Sequence, residues 1–132
     1  MEKKRVLVVD DEIYILQILE FSLEVEGYEV LTAQNGEEAI EVARASRPHL
    51  VVLDIMMPKM DGYEACRVLK NDPELCDVPV ILLSAKGRTI DQQIGFEAGA
   101  EEYITKPFSP RKLIERIKAI LEERSLRPAV NE

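Results

Sequence analysis

A short apolar run that ends in a single carboxylate constrains the fold of this chain more than any other feature. Leu50 to Leu53 are all apolar, Asp54 follows directly, and the turn-forming residues Pro58, Asp61 and Gly62 come next. A short run without polar alternation predicts a strand that is buried on both faces of a sheet. A buried carboxylate at the end of such a strand is costly unless it faces a cleft, a metal ion or a partner. The alternative is that Asp54 only caps the turn that follows it.

Similar apolar runs alternate with segments of helical periodicity along the chain. Strands are predicted at Val6–Val9, Tyr28–Ala33, Leu50–Leu53, Val80–Leu83 and Tyr103–Thr105. The segments between and after them carry apolar residues at helical spacing, which predicts helices over 12–26, 37–46, 63–71, 89–99 and 110 to about 124. Five strand–helix units in succession predict a parallel sheet with helices on both faces, which is a three-layer α/β sandwich.

Local signals mark several helix ends. Gly27 is placed to cap the first helix, Thr89–Gln92 matches a capping box, and Ser109-Pro110 matches an N-cap followed by proline at the first helical position. Asn35-Gly36 is typical of a hairpin, but a helical pattern follows it, so we interpret the pair as a loop. Ser125 to Glu132 is predicted to be a frayed tail behind a single domain of residues 1–124.

Charge and composition limit the classes of partner. The net charge of −8 argues against direct binding of nucleic acid and of anionic membranes. The run Val6–Val9 is too short for a signal peptide core, and no later run reaches membrane-spanning length. Cys66 and Cys76 have neither metal nor redox spacing, and we expect reduced thiols in a cytoplasmic protein, with Cys66 in the core.

Polar residues stand at the carboxyl ends of four predicted strands: Asp10 and Asp11, Asp54, Ser84, and Lys106. In the flavodoxin-like strand order 2-1-3-4-5 these four strands are neighbours, so the five residues should converge on one cleft. Clustered carboxylates need a cation, and their hard oxygens suit Mg²⁺. A lysine and a hydroxyl beside them can bind a phosphoryl group, and a carboxylate is available as nucleophile.

Four motifs together make the chain resemble the receiver domain of two-component response regulators, the CheY-like family, from Arg5 to about Glu123. They are VVDD at 8–11, VVLDIMMPKMDG at 51–62, LLSAK at 82–86 and ITKPF at 104–108. Each motif is weak alone, but their order and spacing are specific.

The resemblance implies a role for each site residue. Asp54 would accept a phosphoryl group from the phosphohistidine of a sensor histidine kinase or phosphotransfer protein. Asp11, Asp54 and the backbone carbonyl of Met56 would bind Mg²⁺, and Asp10 would act on it through water. Lys106 would pair with Asp54 and then with the phosphoryl group.

The resemblance also implies a signalling switch rather than an enzyme with an external substrate. Ser84 and Tyr103 occupy the family's switch positions, and the Lys106-Pro107 bond matches one that is cis in the family. The surface of the fourth helix, fifth strand and fifth helix would report phosphorylation to a downstream protein target or to an absent output domain. The chain would be a stand-alone regulator or a part of a longer protein.

Each of these residues also has a plain structural interpretation. Asp10-Asp11 could cap the first helix, Lys106 could be a solvated loop charge, Ser84 could bond to the backbone, and Tyr103 could simply pack. His49 is expected to be exposed and to have no chemical role. The joint placement of the site residues favours the functional interpretation.

Two other functions are possible on this fold. A haloacid-dehalogenase-like phosphatase would need a second Asp where Met56 stands. A flavin-binding module would need a phosphate-cradling loop after the first strand, where Asp10 to Glu12 would repel phosphate instead.

The first helix has more apolar surface than one packed face requires. The stripe predicted to face the sheet comprises Ile15, Leu16, Leu19 and Leu23. A second stripe lies about 130° around the helix axis from the middle of the first, if each residue turns the helix by about 100°. It comprises Tyr14, Ile18, Phe21 and Val25. Either both stripes are buried in a groove, or the second is an exposed partner site beside Asp54. We expect the latter, with Tyr14, Ile18 and Phe21 as the kinase-docking surface.

Overall fold

The computed structural model describes residues 3–84, 93–94, 96–106 and 108–126, with side chains as far as residue 124. Five strands are present in this part of the chain: β1 (Arg5–Val9), β2 (Glu29–Ala33), β3 (Leu50–Asp54), β4 (Val80–Ser84) and β5 (Glu102–Thr105). The helices whose bounds are described are α1 (Ile13–Val25), α2 (Gly36–Ser46), α3 (Gly62–Asn71) and α4 (Pro110–Leu126). Residues 93–94 and 96–97 are also helical.

The five strands form one parallel sheet in the order β2-β1-β3-β4-β5. This order confirms the flavodoxin-like α/β prediction, and the strands agree with the predicted runs to within a residue or two. In the register, Asp54 lies opposite Leu83 of β4, and Ser84 lies opposite Thr105 of β5. The polar ends of the strands therefore meet along one edge of the sheet, as their sequence positions predict.

Alternation along the strands divides the core into two layers. One face of the sheet carries Leu7, Val9, Val51, Leu53 and Leu82, and packs mainly against α2 and α3. The other face carries Val6, Val8, Leu50, Val52 and Ile81, and packs against α1 and α4. Every residue of β3 and β4 is buried, which is why these strands show no polar alternation in the sequence. Cys66 is fully buried on α3, as predicted.

Helix ends agree with most of the local signals. Gly27 has φ of +97° directly after α1, and Ser109 caps α4, where its hydroxyl accepts a hydrogen bond from the Lys112 N–H. The α4 helix ends at Leu126, two residues beyond the predicted end near Arg124. Gly99 has φ of +103°, but the predicted capping box at 89–92 and the Lys106-Pro107 bond involve positions outside the described residues.

The interpretation of Asn35-Gly36 as a loop needs correction. The Asn35 side chain accepts a hydrogen bond of 2.8 Å from the Glu38 N–H, and the helix begins at Gly36. The Glu38 carboxylate in turn accepts a hydrogen bond from the Gln34 N–H. Asn35 is therefore an N-cap, because its side chain satisfies a backbone donor that the first helical turn leaves free.

Two glycines allow the loop after Asp54 to lie close to the helices beside it. A Cβ on Gly62 would lie 2.5 Å from the backbone oxygen of Asp54, and one on Gly36 would lie 2.5 Å from the backbone oxygen of Met60. Within this loop Lys59 has φ of +71°, which a residue with a Cβ rarely adopts. The packing of α2 and α3 thus determines the path of the chain immediately after the Asp54 carboxylate.

Candidate functional site

Three carboxylates lie together at the carboxyl edge of the sheet. One oxygen from each of Asp10, Asp11 and Asp54 lies within 4.8 Å of the others. Asp10 is fully buried and Asp54 is 3% exposed, whereas Asp11 is open to solvent. These residues come from the ends of β1 and β3, which are neighbours in the sheet, so the cluster is a direct product of the strand order.

Lys106 lies between the two buried carboxylates. Its backbone N–H donates to the Ser84 carbonyl oxygen at 2.6 Å, which extends the pairing of β4 and β5 by one residue. Its ammonium nitrogen lies 3.1 Å from Asp10 Oδ2 and 3.2 Å from Asp54 Oδ2. The ion pair predicted between Lys106 and Asp54 is present, and Asp10 shares the same ammonium group.

The remaining oxygens of both aspartates accept backbone hydrogen bonds. Asp10 Oδ1 accepts from the Glu12 N–H at 2.9 Å, and Asp54 Oδ1 accepts a longer bond of 3.4 Å from the Met56 N–H. The interpretation of Asp10-Asp11 as an N-cap is not supported, because Glu12 occupies the N-cap position of α1.

Glu12, for which the sequence predicts no specific role, also takes part in the site. Its carboxylate lies 3.6 Å from the Lys106 ammonium nitrogen, so Lys106 contacts a third acidic side chain. The sequence signal was its position directly after Asp10-Asp11. In the sequence, that position indicates only an acidic loop that would repel a flavin phosphate.

The electrostatics of the cluster favour a bound cation. Burial, and after it repulsion from the Asp10 carboxylate, raise the pKa of Asp54 from 3.8 to about 6, although Lys106 and the Met56 N–H oppose the rise. Burial alone would lower the pKa of Lys106, but attraction to Asp54 and Asp10 outweighs it, and the pKa is raised. One lysine therefore does not fully compensate the buried negative charge.

The donor set fits Mg²⁺. It consists of hard carboxylate oxygens, two of them on buried residues, and the exposed Asp11 leaves the solvent side accessible to water ligands. The Met56 N–H bonds to Asp54, which brings the Met56 backbone next to the cluster. A role for the Met56 carbonyl as a metal ligand stays a prediction.

The two predicted switch residues lie on neighbouring strands. Ser84 is 1% exposed at the end of β4, and Tyr103 is half-buried on β5, where it packs against the core layer of α2 and α3. His49, which we expected to be exposed, is half-buried, and its Nδ1 accepts a hydrogen bond of 2.9 Å from the Arg5 N–H at the opposite end of the sheet. His49 directly precedes β3, whereas Asp54 is the last residue of that strand.

The α1 helix exposes its second apolar stripe. Leu16, Leu19 and Leu23 are buried against the sheet, and Ile15 is half-buried. In contrast, Tyr14 is 77% exposed, Ile18 52%, Phe21 71% and Val25 66%. The alternative that both stripes are buried is therefore wrong. An adjoining apolar groove of about 260 Å³ is lined by Ile15, Ile18, Leu19, Phe108 and Pro110.

No helix within the described part of the chain is long and apolar enough to cross a membrane.

Comparison with known proteins identifies the family of this sequence. The family model described as the response regulator receiver domain matches residues 6–118. The chain is 52% identical over 120 residues to the probable transcriptional regulator ycf27 of Pyropia yezoensis, an alignment that covers 91% of this chain and 48% of that protein. It is 48% identical over 118 residues to the alkaline phosphatase synthesis transcriptional regulatory protein PhoP of Bacillus subtilis (strain 168), covering 89% of this chain and 48% of that protein. The chain thus spans about half the length of these curated relatives.

Solved structures give the same result over almost the whole chain. A putative response regulator from Chloroflexus aurantiacus J-10-fl superposes with a TM-score of 0.87 at 36% identity, covering 92% of this chain and 99% of that one. The chemotaxis response regulator CheY4 of Vibrio cholerae superposes with a TM-score of 0.85 at 31% identity, covering 90% and 99%.

Proposed function

Since the chain belongs to the response regulator receiver domain family, we propose that it accepts a phosphoryl group on Asp54 and transmits the signal through a change of its surface. Receiver domains are the phosphorylation-dependent part of two-component response regulators. The observation that carries the assignment of Asp54 is its environment: a buried carboxylate in a carboxylate cluster, 3.2 Å from a lysine ammonium group.

In the proposed transfer, an Asp54 carboxylate oxygen attacks the phosphorus of a phosphohistidine. A P–O bond forms as the P–N bond breaks, and the electron pair of that bond goes to the imidazole nitrogen. Asp11, Asp54 and the Met56 carbonyl would hold Mg²⁺, and Asp10 would act on it through water. The bound ion would neutralise negative charge on the phosphoryl oxygens. Lys106 leaves the buried carboxylates and pairs with the phosphoryl group.

The signal would be transmitted by Ser84 and Tyr103. The Ser84 hydroxyl moves toward the phosphoryl oxygens, and the half-buried Tyr103 ring turns further inward in response. A shift of such a two-state equilibrium from 1:99 to 99:1 needs roughly 5.5 kcal/mol of differential interaction. A charge-assisted hydrogen bond and the rearranged lysine contact contribute part of that energy.

The proposed partners are proteins. The phosphodonor is a sensor histidine kinase or phosphotransfer protein that docks on Tyr14, Ile18 and Phe21 of α1. The readout is a downstream protein target or an output domain outside this chain; two transcriptional regulators that the chain matches are about twice as long as the matched segment. Because the net charge is −8, we propose that this segment itself binds neither nucleic acid nor a membrane. We also propose that it acts in the cytoplasm. It turns over no external substrate, because Met56 stands where a phosphatase of the rival type needs its second aspartate.

The proposal is tested by replacing the acceptor. Asp54→Asn should fold normally but take up less than about a hundredth of the wild-type label from acetyl phosphate with Mg²⁺, because an amide is a poor nucleophile toward phosphorus. Intact mass spectrometry measures the uptake, because each phosphoryl group adds about 80 Da to the mass of the protein.

Asp61→Asn is the matched control for this experiment. Asp61 lies outside the cluster and caps α3 through a 2.9 Å hydrogen bond from the Glu64 N–H, which an asparagine can also accept. Its labelling should equal that of the wild type. Wild-type labelling of Asp54→Asn would exclude Asp54 as the acceptor.

A further inference from the structure

The Glu12 side chain makes no hydrogen bond to the helix that it begins. Glu12 is the N-cap residue of α1, and its carboxylate makes no capping hydrogen bond. Ser, Thr, Asp and Asn cap helices well, whereas a longer glutamate does not reach back easily to the first turn. The position therefore forgoes about 1 kcal/mol of helix stability that a better cap would supply.

The Glu12 carboxylate instead contacts the Lys106 ammonium group, which also forms ion pairs with two other carboxylates. It lies 3.6 Å from the Lys106 ammonium nitrogen, which is also 3.1 Å from Asp10 and 3.2 Å from Asp54. Asp10 contributes to this arrangement, because its Oδ1 accepts a hydrogen bond from the Glu12 N–H. The backbone of Glu12 is thus held by one of the carboxylates with which its side chain shares Lys106.

We propose that Glu12 is a positioning residue that restrains Lys106 in the unphosphorylated molecule and weakens the binding of an anionic group at Asp54. This inference rests on the proposed function, in which Lys106 transfers from carboxylates to phosphoryl oxygens. Asp10 and Asp54 are integral to the site, whereas the Glu12 side chain is 62% exposed and can be changed without altering the buried cluster.

Two effects of the Glu12 carboxylate act in the same direction. It competes with the phosphoryl group for Lys106, and its negative charge repels the incoming anion across a short distance. Because the pair is partly exposed and screened by solvent, the effect is modest, and a change of roughly two- to fivefold in affinity is expected. Glu12 thereby sets how readily the site accepts a phosphoryl group, not whether it can.

The test uses beryllofluoride, an anionic phosphoryl mimic, with Mg²⁺ at saturation, and follows binding by the amide signals of Ser84 and Tyr103. Glu12→Gln and Glu12→Ser should each bind roughly two to five times more tightly than the wild type. Serine can cap α1 and glutamine caps poorly, so equal gains would exclude helix stability as the cause. Glu24→Gln, which removes one exposed charge further along α1, should bind as the wild type does.

A double-mutant cycle with Lys106→Met separates competition for the lysine from simple repulsion. In that background the Glu12→Gln gain should shrink by at least half. The metal-free protein offers a second readout, because the side-chain ¹⁵N signal of Lys106 should shift in Glu12→Gln and not in Glu24→Gln.

Unchanged affinity in both Glu12 variants, or an equal gain with and without Lys106, would overturn the inference. If the wild-type protein took up neither beryllofluoride nor a phosphoryl group from acetyl phosphate, the proposed function would fail instead.

Discussion

Asp54 is a buried carboxylate beside another carboxylate, so its protonation is linked to folding. Its pKa is raised from 3.8 to about 6, first by burial and then by Asp10. Between these two pH values the folded protein holds a proton that the unfolded chain has released. Stability contributed by this group is therefore present below about pH 4 and is lost as the pH rises to about 6. The full difference corresponds to about 3 kcal/mol.

We therefore expect Asp54→Asn to be more stable than the wild type in metal-free buffer at pH 7, by about 1–3 kcal/mol, and by much less at pH 4. Urea unfolding at a series of pH values, with a chelator present, measures the difference in free energy of unfolding. Asp61→Asn should show no such trend. A difference between Asp54→Asn and wild type that stayed constant from pH 4 to pH 7 would contradict the linkage.

The path of the loop between β3 and α3 depends on how closely α3 approaches the end of β3. A Cβ on Gly62 would meet the Asp54 backbone oxygen at 2.5 Å and the Ile55 Cα at 2.8 Å. Both are backbone atoms, which cannot rotate away as a flexible side chain can. The start of α3 thus constrains the backbone of Asp54, although it lies eight residues further along the chain.

Gly62→Ala should accordingly destabilise the fold by roughly 1–3 kcal/mol, the usual cost of forcing atoms into a packed region. It should also slow labelling by acetyl phosphate, because the displaced Asp54 backbone carries the acceptor with it. Arg67→Ala, an exposed position on the same helix, is the control and should stay within about 0.5 kcal/mol of the wild type. If Gly62→Ala were as stable as the wild type, the start of α3 would be free to shift, and the close packing at Gly62 would have no energetic consequence.

The carboxylate cluster links cation binding to the stability of the whole fold. A ligand that binds only the folded state stabilises it by mass action, by about 2.7 kcal/mol at 100 times its dissociation constant. Millimolar Mg²⁺ should therefore raise the melting temperature of the wild type by several degrees. Asp11→Asn should lose most of this rise, since it removes the solvent-facing carboxylate. An unchanged wild-type melting temperature would exclude the assigned metal site.

The exposed stripe of α1 is the other feature with consequences for the whole molecule. Replacing Ile18 and Phe21 with glutamine should reduce transfer from a sensor kinase at least tenfold, because a few large side chains that become buried at the centre of an interface carry most of its binding energy. Labelling by acetyl phosphate should stay near wild type, since both side chains are exposed and outside the cluster.

Phe96→Gln is the control for that experiment, because Phe96 is also exposed, at 49%, but lies outside α1. Its phosphotransfer from the same kinase should equal that of the wild type. An equal loss with both phosphodonors in the α1 variant would mean that the two residues support the fold rather than dock the kinase.

The parallel sheet and the position of the site at its carboxyl edge could be predicted from the amino-acid sequence. Uninterrupted apolar runs such as Val80–Leu83 are typical of strands covered on both faces, and five strand–helix units leave few parallel arrangements. Residues that end those strands, such as Asp54 and Lys106, must then lie at one edge. These properties are local patterns or consequences of chain connectivity, so they could be predicted without coordinates.

The contacts among the polar side chains of the site could not be predicted from the sequence and are seen only in the folded structure. The Lys106 ammonium group contacts three carboxylates, and these contacts depend on the direction in which its long side chain extends. The spacing of residues along the sequence does not specify that direction. The same holds for the exposure of Phe21, since either stripe of α1 could have been covered by α4. For Lys106 and Phe21 the deciding energy is a contact between groups that are distant in the sequence, and its geometry exists only in the folded molecule. Asn35 differs, because Asn35 followed by Glu38 is itself a helix-start signal in the sequence, and the hairpin-like Asn35-Gly36 pair competes with it.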